Sequence, residues 1–249
     1  MKERSRLRRW ALGLSAVFLI WLFGFFIPVP SIVLLRFRTP SSTAFIEARK
    51  DRLEKAGRKV AIDRRPVPLS SVSPHLIKAV ITAEDGRFFE HHGLDFDAIE
   101  KAREYNKKQQ ARGRKGRHGG STITQQLAKN LYLSPERSLL RKAREAAIAS
   151  TMEVFLGKGR ILELYLSAIE WGETTYGCEA ASRKYFGTSA SQLGPAQAAR
   201  LAAMIPAPVK LAKDQRRLAA RAARIATRAA RENPSLEPLE DEDLSDEER

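Results

Sequence analysis

Cysteine occurs once in the 249 residues, as Cys178. A single thiol excludes an intramolecular disulfide, a cysteine-rich zinc site and a CxxC redox pair. Histidine is also scarce: His75, His91, His92 and His118 fall in no HExxH or comparable ligand spacing, which argues against a metal held by His and Cys. No strand longer than a few residues stands out, and no internal repeat is visible. Acid is in short supply, with 29 Asp and Glu against 44 Lys and Arg, a formal charge of +15. Such a surplus suits a polyanionic partner: nucleic acid, anionic lipid or a phosphate-bearing substrate. Hydrophobic residues, at 43%, are ample for a core and exclude wholesale disorder.

Charge is missing altogether from Trp10 to Leu35. About 20 apolar residues cross a bilayer as a helix, whereas the apolar core of a signal peptide is about 7–15 residues long and ends at a small-x-small site. Here the run continues through Pro28, Val29 and Pro30 to Arg36-Phe37-Arg38 with no good cleavage site. The expectation is an uncleaved single-pass anchor over residues 10–35. The basic cluster Lys2, Arg4, Arg6, Arg8 and Arg9 keeps tail 1–9 in the cytoplasm by the positive-inside rule. The remainder is then extracytoplasmic (periplasmic, on the inner membrane), and that topology argues against a nucleic-acid partner.

Beyond the anchor, residues 36–74 read as a polar, membrane-proximal linker with a breaker-rich end, Pro66 to Pro74. Residues 75–210 read as one mainly α domain of short helices. An amphipathic stretch from Leu76 ends at Gly93, and a basic run from Lys101 to Arg117 lacks the apolar period of a packed helix and is expected to be a membrane-facing loop. Thr122 and Gln125 have capping-box spacing at the start of the next helix. Further helices are expected around Ser138–Leu156, from Arg160 to Gly172, from Glu179 to Gly187, and after Pro195. Residues 211–233 form an Ala/Arg-rich helix, and 234–249 an acidic tail with nothing to pack.

Three islands carry more polar detail than packing needs. The first runs from Glu84 and Asp85 to Gly93. Paired carboxylates at the end of an apolar helix can contain a base raised by burial or by the like charge, or simply form a solvated helix end. In the second, Gly119-Gly120-Ser121-Thr122 feeds a helix N-terminus. That suits a phosphate, or is no more than a capped start. Lys129 lies three residues beyond Gln126 on a neighbouring face. In the third, Arg141 and Lys142 stand four and three residues before Glu145, a spacing that usually decorates a surface.

In order, EDGRFFEHHG, GGSTITQQLAKN, RKARE, KGRILELYLSAIEWG and GCEAASRKYFG are specific. From about Pro68 to Pro208 the chain resembles the bacterial peptidoglycan glycosyltransferases, most closely their monofunctional, membrane-anchored branch. The resemblance implies a lysozyme-like helical domain that polymerises lipid II. It implies Glu84 as catalytic base, with Asp85, Phe88, His91 and Gly93 completing the first motif. Gly119, Thr122, Gln126 and Lys129 match residues around the donor pyrophosphate. Arg141, Lys142 and Glu145 match the third motif, whose Glu is the family's second essential carboxylate. Ser167 departs from the family's usual Asn, and nothing after Pro208 carries a family signature.

The chemistry implied by the resemblance is an inverting transfer from undecaprenyl pyrophosphate to a sugar 4-OH, forming a β-1,4 bond. The implied partners are lipid II, the growing lipid-linked strand, the anionic membrane and other cell wall synthesis proteins. No cofactor is obligatory. A divalent cation (Mg²⁺ or Mn²⁺) at the pyrophosphate is compatible with the family, although no ligand set is legible. A lytic enzyme of related fold and a non-catalytic scaffold are the rival readings. Neither SxxK nor KTG occurs in the chain, so transpeptidase activity is not expected.

Overall fold

The computed structural model describes residues 26–114, 119–136 and 138–232, with Trp10, Gly24, Pro234, Leu236 and Leu239 besides. Eleven α-helices are distinguished among them, and three very short strands. Near the chain start lie α1 (Val29–Leu34), α2 (Ala44–Lys55) and β1 (Asp63–Arg64). The central helices are α3 (Pro74–Glu84), α4 (Phe96–Ala111), α5 (Ile123–Tyr132), α6 (Leu139–Phe155) and α7 (Lys158–Ala168). Then come β2 (Glu170–Gly172), β3 (Thr175–Tyr176), α8 (Cys178–Phe186), α9 (Pro195–Met204), α10 (Pro208–Lys213) and α11 (Gln215–Glu232). The strands make a small sheet in the order β1-β3-β2, with β1 parallel and β2 antiparallel to β3.

Side-chain caps start the five helices from α2 to α6. Thr43, Ser73, Asp95, Thr122 and Ser138 each accept a backbone N–H from the adjoining first turn, a contact worth about 1 kcal/mol apiece. Glycine ends α8, where Gly187 takes the left-handed φ of 69° that a side chain disfavours. One apolar cluster joins the helices. α5 packs on α6 and α7, while α3 and α11 both pack on α9. Cys178 lies inside this core, and burial pushes its thiol up to about 12.

Several expectations need correction. The segment 36–74 is no simple linker: α2 buries Ile46 and Leu53, and β1 joins the sheet. The helix expected to reach Gly172 stops at Ala168, because β2 pairs with β3 and the Trp171 indole donates to Leu201 O at 3.0 Å. The basic run from Lys101 is helical through Ala111, stabilised from its Asp95 cap rather than by an apolar stripe. The apolar run from Trp10 is interrupted, since Ile27 and Pro28 are not helical and α1 packs on α6 with Ile32 fully buried. Among the described residues no helix is long and apolar enough to cross a membrane. Residues 1–9, 11–23, 25, 115–118 and most of the acidic tail lie outside the described residues.

Gly93 closes the loop after α3 with φ 88°, and a Cβ there would stand 3.0 Å from Ala149 O. Both the conformation and the space exclude a side chain. Gly93→Ala is therefore expected to destabilise the fold by more than about 1 kcal/mol, measured as a lower midpoint in urea at unchanged slope.

Candidate active site

Helix α3 delivers Glu84. Leu76, Ile77, Val80 and Ile81 bury its apolar side, Pro74 sits in its first turn, and the helix stops where Asp85 turns out of helical geometry at φ −160°. Glu84 therefore emerges from the core as the last helical residue, at the wall of an open cleft of about 900 Å³. Its side chain is only 11% exposed. Gln126 Nε2 donates to Glu84 Oε2 at 3.1 Å, while the Tyr165 hydroxyl donates to Gln126 Oε1 at 3.1 Å. The tyrosine thus fixes which way the Gln126 amide faces. Burial raises the Glu84 carboxyl above the ordinary carboxylate value, and Gln126, Arg221 and Lys129 oppose that rise.

Asp85, one residue on, does something else. Its buried carboxylate accepts the Ile123 N–H at 2.9 Å, and His91 Nε2 lies 3.0 Å from both its oxygens. It thereby holds the N-terminus of α5 against the end of α3, where the helix dipole favours a negative charge. Phe88 is fully buried beneath this pair, with Lys158 Nζ 4.5 Å from its ring centroid, and His91 is buried too. The first motif is thus assembled around the site, but Phe88 and His91 lie under it rather than on the cleft wall.

Gly119, Gly120 and Thr122 line the same cleft as Glu84. A Cβ on Gly120 would come within 2.8 Å of Ile99 Cα, so glycine is what lets this turn lie against α4. The Thr122–Gln125 capping box is present, and Thr122 Oγ1 also donates to Gly93 O at 2.7 Å. Past Ser121 stands a group of cations. Lys142 Nζ donates to Ser121 Oγ at 2.9 Å and also to Glu145; Arg141 Nη1 donates to Glu145 Oε2 at 2.8 Å. Glu145 is 3% exposed and held by both cations, so it orients them and does not stand on the cleft wall beside Glu84. Burial lowers the Lys129 ammonium from its ordinary value, against the pull of Glu145 and Glu84. Among the described residues no group of three or more His, Cys, Asp or Glu is arranged to hold a metal ion. Beside the glycine turn, the charges available to balance an anion are those of lysines and arginines.

A buried carboxylate that lines the same cleft as a glycine turn backed by cations is a setting for proton abstraction next to a bound anion. The transglycosylase family model matches residues 50–230. The chain belongs to the transglycosylase family. It is 50% identical over 192 residues to a protein of Aromatoleum aromaticum, covering 76% of this chain and 81% of the relative. It is 47% identical over 201 residues to one of Nitrosospira multiformis, covering 80% and 84%. With one of an Azoarcus species it shares 46% over 223 residues, covering 88% and 91%. Each of these relatives is named a biosynthetic peptidoglycan transglycosylase.

The family match begins inside the segment read as a linker and takes in the Ala/Arg-rich helix. That helix carries the site residue the sequence reading missed. Arg221 of α11 brings Nη2 to 3.5 Å from Glu84 Oε1, across 137 residues of chain. Only its place in an arginine row could have signalled it. Ser167, the departure from the family pattern, is buried in α7, where its carbonyl accepts Arg64 Nε at 2.8 Å.

A carboxyl raised by burial binds its proton more tightly folded than unfolded, so it favours folding below the unfolded pKa and loses that contribution as pH rises through the folded one. Glu84→Gln keeps the shape without the charge. It is expected to melt above the wild type at pH 8, with the gap closing as pH falls toward about 4, the unperturbed carboxylate range. Thermal melts across pH check this.

Proposed function

We propose that this transglycosylase polymerises lipid II into β-1,4-linked glycan for the bacterial cell wall, with Glu84 as general base. The observation that carries the reading is the Glu84 carboxylate itself, desolvated yet facing an open cleft beside the cation group behind Ser121. The names of the relatives support the same activity. Glu84 takes the proton from the acceptor sugar 4-OH, which is a poor nucleophile until then. The freed oxygen attacks C1 of the donor, the C1–O bond breaks with inversion, and the pyrophosphate leaves with the electron pair. A pyrophosphate leaving group needs charge neutralisation more than protonation. Lys129, Arg141 and Lys142 supply that charge, and Glu145 holds the last two in place. This need for an anion seat favours synthesis over hydrolysis, where a proton donor for the leaving group is the usual requirement.

Anchoring belongs to the same reading. The uncharged run from Trp10 toward Ile27 between basic flanks is proposed as a single-pass anchor of the cytoplasmic membrane, with the catalytic domain outside. Pro28 is its proposed end, since α1 packs on the domain. The exposed face of α4 is proposed to meet the bilayer. Lys107 and Lys108 near its end, with Arg112 and Arg114 just past it, are all exposed.

Glu84→Gln should lower polymerisation of lipid II by roughly 10²–10⁴-fold, the contribution of positioned proton transfer, while lipid II binding survives. Gel analysis of products checks it: polymer from the wild type supports a synthase, loss of pre-formed glycan a lytic enzyme, and no turnover a scaffold. Changing Lys107, Lys108, Arg112 and Arg114 together to Gln removes on the order of 1 kcal/mol of attraction each near an anionic surface. Turnover of lipid II in anionic vesicles at low salt should fall, with little change in neutral vesicles. An equal response in both would make α4 a solvated face.

A further inference from the structure

Helix α11 carries arginines at 217, 221, 224, 228 and 231, alternately four and three residues apart, which places them in one row along the helix. Beside that row, Leu218 and Ile225 are buried where α11 packs on α9 and α3. Asp214 starts the helix by accepting the Arg217 N–H at 2.9 Å. Packing on α3 is what lets the row reach the cleft, whose wall includes Arg221 and Arg228 together with Glu84. Only Arg221 is within reach of that carboxylate, at 3.5 Å. The Arg221 side chain is 32% exposed, and its Nε is buried without a hydrogen-bond partner among the described residues.

The other groups facing Glu84 leave a gap that this arginine fills. From α5, Gln126 donates a neutral hydrogen bond and Lys129 offers a more remote charge, itself also attracted by Glu145. From α7, the Tyr165 hydroxyl is spent on Gln126. The neighbouring Asp85 repels, and is tied to His91 and the α5 amide. Lys101 of α4, Arg87 and Arg228 line the wider cleft. A carboxylate so desolvated would take up a proton and lose its use as a base, unless a cation stood next to it. A tight bidentate clamp would fail in the opposite way, since it would strip the carboxylate of its basicity. A single contact at the outer limit of hydrogen bonding lies between those extremes.

We propose that Arg221 is a positioning residue for the reaction, holding Glu84 ionised and aimed into the cleft, so that α11 completes the active site. The proposal rests on Glu84 being the base. When the hydroxyl proton moves to Glu84, the freed oxygen bonds to C1 as the C1–O bond to the pyrophosphate breaks; the carboxylate becomes neutral, and Arg221 remains as a cation in the cleft wall.

The test is the pH dependence of kcat for the full-length protein on lipid II, for the wild type, Arg221→Gln, Arg221→Met and Arg221→Lys. Removing an opposite charge this close displaces a carboxylate by about 1 unit or more. The acid limb should therefore move to higher pH by at least that much in the Gln and Met variants, with turnover largely regained on the alkaline side. Lys should return the limb toward the wild-type position. Arg221→Met keeps the apolar stem, so it supplies the reading if the Gln variant fails to fold. An unmoved limb in the folded neutral variants overturns the proposal. Glu84→Gln, run in parallel, separates the two failures: if it keeps near wild-type turnover, the assignment of the base is what falls.

Discussion

One buried carboxylate, Asp85, ties the end of α3 to the first amide of α5. Ile123 N–H and His91 both point at it, and in a low-dielectric setting such charge-assisted bonds are strong and geometrically exacting. Everything that faces the cleft is referred to this joint. α3 ends on Glu84 just before it, and α5 begins with the glycine turn and Thr122 just before its other partner. The site is therefore built from two helix ends meeting at one acid rather than from a loop laid over a scaffold. Phe88 and the Lys158 ammonium seal it from below.

Around that joint the charges are divided by task. Acids that are buried and fully bonded, Asp85 and Glu145, serve as fixed points: one for backbone, the other for the two cations of α6. Glu84 is the acid left with weak partners, a neutral amide and one guanidinium at 3.5 Å. Its elevation by burial is the physical counterpart of that weak bonding, and it suits the proposed role of the group as a base. The positive charge of the chain is likewise not uniform in purpose. Part of it lies behind Ser121, part on the exposed face of α4, and part in the arginine row of α11.

Much of this was legible in the sequence because the signals were local. Thr122 with Gln125, Ser138 and Gly187 announce helix ends within a few residues, and the observed helices start and stop there. The order of the polar motifs sufficed for the family and for Glu84, Lys129, Arg141, Lys142 and Glu145 as candidates. The misreadings occurred where distant partners decide. Glu170–Gly172 continues a helical pattern, yet it is a strand because β3 and Leu201 are there to receive it. Residues 36–74 look like a linker until α2 meets α5.

The amino-acid sequence by itself thus determined the helical class, the family, the candidate acid and the cations of α5 and α6, all of which depend on spacing along the chain. Only the tertiary structure decided which of the cleft's acids are tied up in bonds and which is left with weaker partners, because Asp85 and Glu84 are chemically near-identical neighbours that differ in what folds against them. It also decided that an alanine- and arginine-rich helix belongs to the site. The contact between Arg221 and Glu84 spans 137 residues and arises because α11 and α3 share α9 as a packing partner. Helical periodicity can announce a row of arginines, but it carries no information about which distant carboxylate that row will meet.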